Sequence, residues 1–476
     1  MEKQDYSIKK LPDEVAVVMV PLPAQGHLNQ LLHLAHLITS YGIPLHFAGS
    51  GTHNHQAKLR VHGWDMKNLS KIHFHDFQLP PYDTSPSAPS HPSHSIPFPA
   101  HFYPLFEAAT HLREPVSLLL QQLSTMFSRV VVIHDILMAS VVQDIQNIPN
   151  AESYSLIPIS AFTFFIGFWE NLVNKPFELD PKDLPECIIP STEGCTPPEI
   201  DEFVANQFRY FGLESGRIYN TSRPVEGRYV ELLQKISPNV DIKHFTLGPF
   251  NPVEFKTESG IQDRHQCLEW LDEQEHGSVI YVSFGSSTSL SSEQIRELAI
   301  GLERSGQKFL WVLRNCDTGD VFAKGEVRKP QLPQGYEERV KSRGMVVRDW
   351  APQLEVLAHS SVGGFMSHCG WNSCIESISM GVAIAAWPMH SEQPRNAVLV
   401  TDVLRIGTLV RDWAYRAQLV TSNTIENAVK TLMATDEGEK MRKRAAELGD
   451  AVRKSVAVGG VAHSEMDSFI YHITRC

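Results

Sequence analysis

Two side chains in the first third of the sequence have the types required for proton transfer near neutral pH. His27 follows the break PLPAQG after an apolar run at 15–20, and Asp135 ends a second apolar run at 129–135. A histidine can take the proton of a hydroxyl group, and a carboxylate on its second ring nitrogen fixes the tautomer and stabilises the imidazolium. We therefore interpret His27 and Asp135 as a candidate base and its orienting partner. The competing interpretations are an exposed histidine at a helix start and an aspartate that only caps the next helix.

A dense group of polar and aromatic residues lies between 350 and 393, in the segment WAPQLEVLAHSSVGGFMSHCGWNSCIESISMGVAIAAWPMHSEQ. The part GGFMSHCGWNS predicts a strand, a tight glycine turn and a helix. This turn contains His368, Gly370, Asn372 and Ser373. Backbone N–H groups and small polar side chains at a helix start form a candidate anion site. For any one of these residues taken alone, ordinary packing is the competing interpretation.

Such a turn could stabilise an anionic group through backbone and side-chain donors without a metal ion. A second turn of this kind, Gly285-Ser286, follows a predicted strand at 278–284. No Asp-x-Asp occurs in the sequence, so we expect no metal-carboxylate clamp on a bound anion. The histidine-rich stretches at 52–56, 72–77 and 90–95 lack a recognisable ligand set, and we expect no metal site there.

The elements that must position these residues follow an alternating pattern. The run VAVVMV at 15–20, an apolar helical face at 28–38 and the run IPLHFA at 43–48 predict a β-α-β unit with parallel strands. The second half alternates in the same way, with strands at 278–284 and 309–313 around a helix at 292–304. The sequence therefore predicts an α/β fold with two Rossmann-like domains.

We place the boundaries of these units from composition and pattern. The first domain spans 1–248, a linker rich in polar residues spans 249–264, and the second domain spans 265–455. A closing segment at 456–476 contains the last predicted helix. Within the first domain, we expect a helix at 102–123 that is broken at Pro104 and Pro115, a helix at 138–142, and a long irregular loop at 79–99.

The composition excludes several classes of protein. The 476 residues carry a formal net charge of −12, which argues against a nucleic-acid or anionic-membrane surface. The 7 cysteines form no C-x-x-C motif, and the charged N-terminal residues lack the apolar run of a signal peptide. We expect a cytoplasmic monomer with reduced thiols and no membrane span. The sequence GSG at 49–51 is not followed by the third glycine of a dinucleotide fingerprint, which argues against an NAD-dependent oxidoreductase.

The whole of 350–393 resembles the donor-binding signature of plant family 1 UDP-glycosyltransferases. The resemblance implies the GT-B arrangement, in which two Rossmann-like domains face each other across the active site. It also implies that the last helix, in 456–476, packs back on the first domain. It also implies UDP-glucose as donor co-substrate, with no permanently bound cofactor and inversion at the anomeric carbon. Gln393 at the end of the signature is associated with glucose donors, and Glu392 stands where many members have aspartate.

The resemblance implies a role for each position of the signature. Trp350 would stack on the uracil ring, and the backbone of Ala351 would pair with the edge of that ring. Gln353 and Glu376 would hold the ribose. His368, Asn372 and Ser373 would contact the diphosphate. Trp371, Glu392 and Gln393 would contact the sugar.

Further segments resemble the zeatin O-glucosyltransferase branch of that family. They are PLPAQGHLNQLLHL at 21–34, HFHDF at 73–77, VVVIHD at 130–135, IYNTSR at 218–223 and LGPFNP at 247–252. By this resemblance the small hydroxylated acceptor would be a cytokinin, with a flavonoid, isoflavonoid or other phenolic compound as the alternative. The loop at 79–99 and the aromatic stretch at 158–169, which can also be read as core, are where we expect that choice to be made. A non-catalytic nucleotide-sugar or hormone-binding protein is the alternative from a different class.

Overall fold

The structure is a computed structural model. It describes residues 13–59, 70–82, 98–99, 102–180, 183–185, 189–237, 241–254, 264–285, 288, 290–314, 331–348 and 350–475. Ser286, residues 83–97 of the predicted long loop and residues 255–263 of the predicted linker lie outside the described residues.

The β-branched runs of the first domain form a parallel sheet. In the described part of the chain it has 7 strands in the order β3-β2-β1-β4-β5-β6-β7. The strands are β1 (Asp13–Val20), β2 (Leu45–Ser50), β3 (Ile72–Phe77), β4 (Phe127–Asp135), β5 (Ala151–Ile157), β6 (Gly216–Tyr219) and β7 (Lys243–Thr246). Along β1, Val17 and Met19 enter one apolar cluster while Val18 and Val20 enter another on the opposite face. Both faces are therefore buried, as parallel sheets require.

Helices cover this sheet on both sides. They are α1 (Gln25–Thr39), α2 (Gly51–Leu59), α3 (Phe102–Ala109), α4 (Arg113–Met126), α5 (Ala161–Asn171), α6 (Pro198–Phe208) and α7 (Arg223–Ile236), with 3₁₀ turns at Thr110–Leu112, Ile136–Met138 and Gln143–Asn147.

Two local predictions in this domain were wrong. The predicted helix at 102–123 is interrupted by the 3₁₀ turn Thr110–Leu112, whereas Pro104 and Pro115 both lie in the first turn of a helix. Proline is tolerated there because the N–H groups of the first turn have no partner inside the helix. The predicted helix at 138–142 is absent, since the chain after Asp135 forms two short 3₁₀ turns instead.

The second domain repeats the architecture with a 6-stranded parallel sheet in the order β10-β9-β8-β11-β12-β13. Its strands are β8 (Val279–Ser283), β9 (Lys308–Val312), β10 (Gly344–Val347), β11 (Val362–Ser367), β12 (Ala383–Ala386) and β13 (Gly407–Leu409). Its helices are α8 (Gln266–Asp272), α9 (Ser292–Ser305), α10 (Tyr336–Val340), α11 (Gln353–Ala358), α12 (Trp371–Met380), α13 (Gln393–Val398), α14 (Ser422–Ala434) and α15 (Asp436–Val456), with a π-helical turn at Leu399–Val403 and a 3₁₀ turn at Trp413–Tyr415. The prediction of two Rossmann-like domains is confirmed.

The chain ends by crossing back to the first domain. The last helix, α16 (Val461–Ile473), buries Met466, Phe469 and Ile473 in the apolar cluster that contains Val17 of β1. Glu465 at its start accepts hydrogen bonds from Arg223 Nε at 2.6 Å and from the Thr246 backbone N–H at 2.9 Å. The first domain is therefore built from both ends of the chain.

A third apolar cluster runs continuously across the contact between the domains. Phe162 and Phe165 of α5 share it with Trp371 and Ile375 of α12. Two polar contacts support it, because Trp371 Nε1 donates to the Asn220 carbonyl at 2.9 Å and Asn251 Nδ2 donates to Ser379 Oγ at 3.1 Å. The domains therefore meet through packed side chains as well as through the connecting chain.

The described residues were also searched for membrane spans and metal clusters. None of the described helices has the length and apolar character to cross a bilayer. Nor do three or more His, Cys, Asp or Glu side chains of the described residues form a group that could hold a metal ion. The histidines of β2 and β3 stack instead, with 5.3 Å between the ring centroids of His46 and His73.

Candidate active site

The carboxyl ends of β1 and β4 bring His27 and Asp135 together. The two strands are paired in parallel with Val20 opposite His134, so the residues that follow them meet at one edge of the sheet. His27 lies in the first turn of α1, and its Nδ1 is 2.6 Å from Asp135 Oδ2. Asp135 is fully buried, and its other oxygen accepts the Leu137 backbone N–H at 2.9 Å. The aspartate therefore caps the following turn and also holds the histidine.

The bond to Asp135 determines the state of the His27 ring. An ionised carboxylate only accepts hydrogen bonds, so Nδ1 carries the proton and the neutral ring keeps its lone pair on Nε2. Burial lowers the pKa of His27, but the charge and hydrogen bond of Asp135, together with the charge of Glu392, raise it above its ordinary value. The side chain is 23 % exposed and lines the cleft between the domains. A histidine held in this way can act as a general base towards a hydroxyl group bound in the cleft.

The opposite wall of this cleft is the turn between β11 and α12. Cys369 has a φ of 64°, and Gly370 is the N-cap residue of α12. The N–H groups of the first helical turn have no carbonyl partner inside the helix, which suits an anion. Asn372 Nδ2 donates to the Gly26 carbonyl at 2.7 Å. The starts of α1 and α12 therefore meet across the cleft.

His368 is held tightly by two glycines of this wall. A Cβ atom on Gly285 or on Gly370 would lie 2.6 Å from the imidazole ring of His368, so neither position has room for a larger residue. Burial, assisted by the charge of Arg314, lowers the pKa of His368 to about 4. The ring is therefore neutral near pH 7 and can offer one N–H donor to a phosphate oxygen.

A connected set of side chains lies beside this turn. Gln353 Nε2 donates to Glu376 Oε2 at 2.7 Å and to Ser373 Oγ at 3.1 Å. Burial raises the pKa of Glu376 to about 7, although the hydrogen bond from Gln353 opposes the shift. Trp350 is 39 % exposed at the cleft, whereas Ala351 is buried. An exposed indole beside a carboxylate and an amide suits the stacking and hydrogen bonding of a nucleoside.

The three residues expected at the sugar already form hydrogen bonds within the protein. The Trp371 backbone N–H donates to Glu392 Oε1 at 3.3 Å, and its indole N–H is bonded to Asn220. Gln393 Oε1 accepts the backbone N–H groups of Met389 and His390 at 2.9 and 3.1 Å. The Gln393 NH₂ group lies 3.4 Å from His390 Nδ1 and keeps at least one N–H for a ligand, whereas the Trp371 ring is almost fully buried in the apolar cluster between the domains.

The cleft has a volume of about 940 Å³ and is lined from both domains. Its aromatic wall consists of two groups of contacting rings, Phe98, Phe102 and Phe106 in one and Phe164, Phe168, Phe208 and Phe211 in the other. Phe162 and Phe165 point into the core instead, so the aromatic stretch at 158–169 is divided between core and cleft.

Arg314, Gln30 and His390 are among the cleft residues that were not predicted. Arg314 donates to the Gly285 carbonyl at 2.5 Å, Gln30 lies one helical turn after His27, and the His390 ring packs edge-to-face on Phe98 with 5.4 Å between centroids. Helical spacing after His27 was a usable signal for Gln30, and the segment 350–393 contained His390. The sequence around Arg314 contains no motif that indicates a site.

Comparison with known proteins finds relatives along nearly the whole chain. The family model described as "Glycosyltransferase, N-terminal domain" matches residues 13–252, and the model described as "UDP-glucoronosyl and UDP-glucosyl transferase" matches residues 249–445. A zeatin O-glucosyltransferase from Phaseolus lunatus is 52 % identical over 98 % of this chain and 99 % of its own length. A zeatin O-xylosyltransferase from Phaseolus vulgaris is 51 % identical over 97 % of this chain and 98 % of its own.

Solved structures share the architecture over nearly the whole chain. Phytolacca americana UGT2, complexed with UDP-2fluoro-glucose and pterostilbene, has a TM-score of 0.71 and 26 % identity, covering 97 % of this chain and 100 % of its own. A UGT transferase from Siraitia grosvenorii in complex with UDP has a TM-score of 0.74 and 26 % identity with the same coverage, 97 % and 100 %.

Proposed function

The chain belongs to the plant family 1 UDP-glycosyltransferases, and on that basis we propose that it is an inverting O-glucosyltransferase acting on a zeatin-type cytokinin. The observation that carries the proposal is the His27–Asp135 pair, whose 2.6 Å bond lies in the cleft that also contains the 350–393 segment. A protein that only bound a nucleotide sugar would have no use for an oriented base. The acceptor is inferred from the relative that is 52 % identical over 98 % of this chain.

His27 starts the reaction by accepting a proton. With Nδ1–H bonded to Asp135, its Nε2 takes the proton of the acceptor hydroxyl as that oxygen attacks the anomeric carbon of glucose. The new carbon–oxygen bond forms on the face opposite the diphosphate while the bond to the diphosphate breaks, so the configuration inverts. Asp135 stabilises the imidazolium until the proton is lost to solvent.

The leaving diphosphate receives its stabilisation from the turn before α12. The backbone N–H groups of Asn372 and Ser373, the Ser373 hydroxyl and the neutral His368 ring are fixed donors that need no reorganisation as negative charge develops. Gly285 and Gly370 maintain the position of the imidazole. In this proposal Gln353 and Glu376 hold the ribose and Trp350 stacks on the uracil.

The proposal that glucose is the donor sugar rests on the side chain of Gln393. The relatives named for glucose and for xylose are 52 % and 51 % identical, so identity alone does not separate the two donors. Gln393 can donate its NH₂ group to sugar hydroxyls, since its oxygen is held by two backbone N–H groups. We also propose that the enzyme works as a cytoplasmic monomer, because both walls of the cleft come from one chain.

The test is transfer by the purified protein, with mass detection of the product. UDP-glucose and UDP-xylose are each supplied with trans-zeatin, cis-zeatin and a flavonoid. We expect glucosylated zeatin, a loss of about 10³-fold in kcat for His27→Ala, and normal turnover for His111→Ala, whose exposed side chain lies outside the cleft. Absence of zeatin glucosylation would refute the acceptor, and a wild-type kcat in His27→Ala would refute the base.

A further inference from the structure

Gln30 is a buried cleft residue with an unused hydrogen-bond acceptor. It lies on α1, lines the cleft and is 3 % exposed. Its Nε2 donates to the Pro158 carbonyl at 2.8 Å, and this bond fixes which end of the amide is the oxygen. Across the described residues, no donor is bonded to Oε1.

Other buried glutamines in the structure do not share this property. Gln207 Oε1 accepts the Ser140 backbone N–H at 2.9 Å, and Gln294 Oε1 accepts the Val420 backbone N–H at 3.0 Å. A buried acceptor without a donor is unfavourable, and native proteins keep such groups mainly where a ligand or water completes them. Because Gln30 lines the cleft, a water or a ligand bound there could supply the missing donor.

The position of Gln30 restricts where that donor must be. Gln30 follows His27 by three residues, so the two side chains share one face of α1, with about 5–6 Å between their Cβ atoms. The hydroxyl that reacts must lie at His27 Nε2. A donor that reaches Gln30 must therefore be attached to the same molecule a few bonds away from the reacting hydroxyl.

We propose that Gln30 is a specificity-determining residue whose amide oxygen accepts a hydrogen bond from the exocyclic N–H of an N-substituted aminopurine. In zeatin a four-carbon chain separates this N–H from the side-chain hydroxyl, so one molecule carries both groups a few bonds apart, as the neighbouring positions of Gln30 and His27 on α1 require. The aromatic wall of the cleft then takes the flat purine ring. This inference rests on the proposed function and names the atom by which that site recognises its acceptor.

The proposal predicts discrimination between two nearly identical acceptors. Replacing the exocyclic N–H of trans-zeatin by an ether oxygen leaves the ring and the hydroxyl in place but sets an acceptor opposite the Gln30 oxygen. A site that forms a hydrogen bond to a polar group of its substrate discriminates strongly against an analogue that lacks this group. An apolar pocket discriminates less strongly against an analogue of a different size. We expect the wild-type kcat/KM to favour trans-zeatin over the ether by at least about tenfold.

The experiment compares this ratio in three proteins with UDP-glucose as donor. Gln30→Met has a side chain of similar length without hydrogen-bonding groups and should lower the ratio to within about threefold. Gln207→Met is the matched control, since Gln207 is an equally buried glutamine outside the cleft, and it should keep the wild-type ratio. Thermal melting of each protein checks that it is folded.

Each result supports or overturns the proposal. A wild-type enzyme that uses trans-zeatin and the ether equally well overturns it, whether or not the variants fold, and leaves the proposed function intact. A Gln30→Met variant whose kcat/KM falls by the same factor on both acceptors also overturns it. Gln30 would then affect activity only through its structural hydrogen bond to the Pro158 carbonyl. Transfer to neither acceptor by the wild-type protein refutes the proposed function itself.

Discussion

Replacing Asp135 by asparagine should harm the enzyme more than replacing it by alanine. Asp135 accepts two hydrogen bonds, one from His27 Nδ1 at 2.6 Å and one from the Leu137 backbone N–H at 2.9 Å. In the asparagine variant the amide oxygen is needed by Leu137, so the NH₂ group faces His27. An amide NH₂ only donates, and the imidazole proton is therefore driven to Nε2, the nitrogen that must act as the base.

The size of the effect follows from the bonds involved. Restoring the reactive tautomer requires the amide to turn over, which leaves the Leu137 N–H without its acceptor at a cost of about 1–3 kcal/mol. The stabilisation of the imidazolium by the carboxylate is lost as well, at about 1.5–3 kcal/mol. Asp135→Asn should therefore lower kcat/KM by about 10²–10⁴-fold, and Asp135→Ala, which loses only the second contribution, by about 10–10²-fold.

The assay is kcat/KM for both variants and the wild type, with melting temperatures to confirm that all are folded. An asparagine variant that is at least as active as the alanine variant would refute this reasoning. So would an asparagine variant whose kcat/KM lies within tenfold of the wild-type value. The pH profile gives an independent check. The base is active above its pKa, and Asp135 raises the pKa of His27, so the acid limb should lie at a lower pH in Asp135→Ala than in the wild type.

Three further outcomes are expected. The KM for UDP-glucose should fall as pH rises through about 7, because the buried Glu376 ionises there and can then accept from ribose hydroxyls, and Glu376→Gln should remove this dependence. Gly370→Ala should weaken UDP binding by about tenfold in calorimetry, since its Cβ would lie 2.6 Å from His368 Nε2. Phe469→Ala should destabilise the first domain by about 3–5 kcal/mol in urea unfolding, because the ring is fully buried in that core.

Each of these outcomes has its own check. Tyr471→Ala changes an aromatic residue of the same last helix that is 79 % exposed, so its unfolding should match the wild type. A Glu376→Gln enzyme whose KM keeps the wild-type pH dependence would show that another group controls donor binding. Unchanged UDP affinity in Gly370→Ala would show that His368 does not need its observed position.

The features of the fold that could be predicted are those set by local pattern. β-branched runs alternating with apolar helical faces have one common solution, a parallel sheet covered on both sides. That topology also accounts for His27 and Asp135, which are far apart in sequence but follow paired strands and therefore meet at one edge. The resemblance of 350–393 to a known signature predicted the donor side, and the predicted residues of that segment lie together at the cleft.

The features that could not be predicted depend on how distant segments pack. The indole N–H of Trp371 is used by the Asn220 carbonyl in the domain contact, and nothing within the 350–393 segment indicates that partner. Similarly, Asn372 reaches the Gly26 carbonyl only because the two domains face each other. The positions of Pro104 and Pro115 were misjudged because a proline in a first helical turn cannot be told from a helix breaker without the helix start.

The return of α16 to the first domain has a consequence for how the protein is made. β7 ends at Thr246, yet Met466, Phe469 and Ile473 complete the same apolar cluster from the last helix. At about 5–20 residues per second, the ribosome reaches these side chains roughly 10–45 s after it has finished the sheet. During that interval we expect an open apolar face on the nascent first domain, and chains stalled before residue 461 should be cleaved there by a protease that spares the full-length protein. A closed first domain would then mark a chain that has been translated through α16.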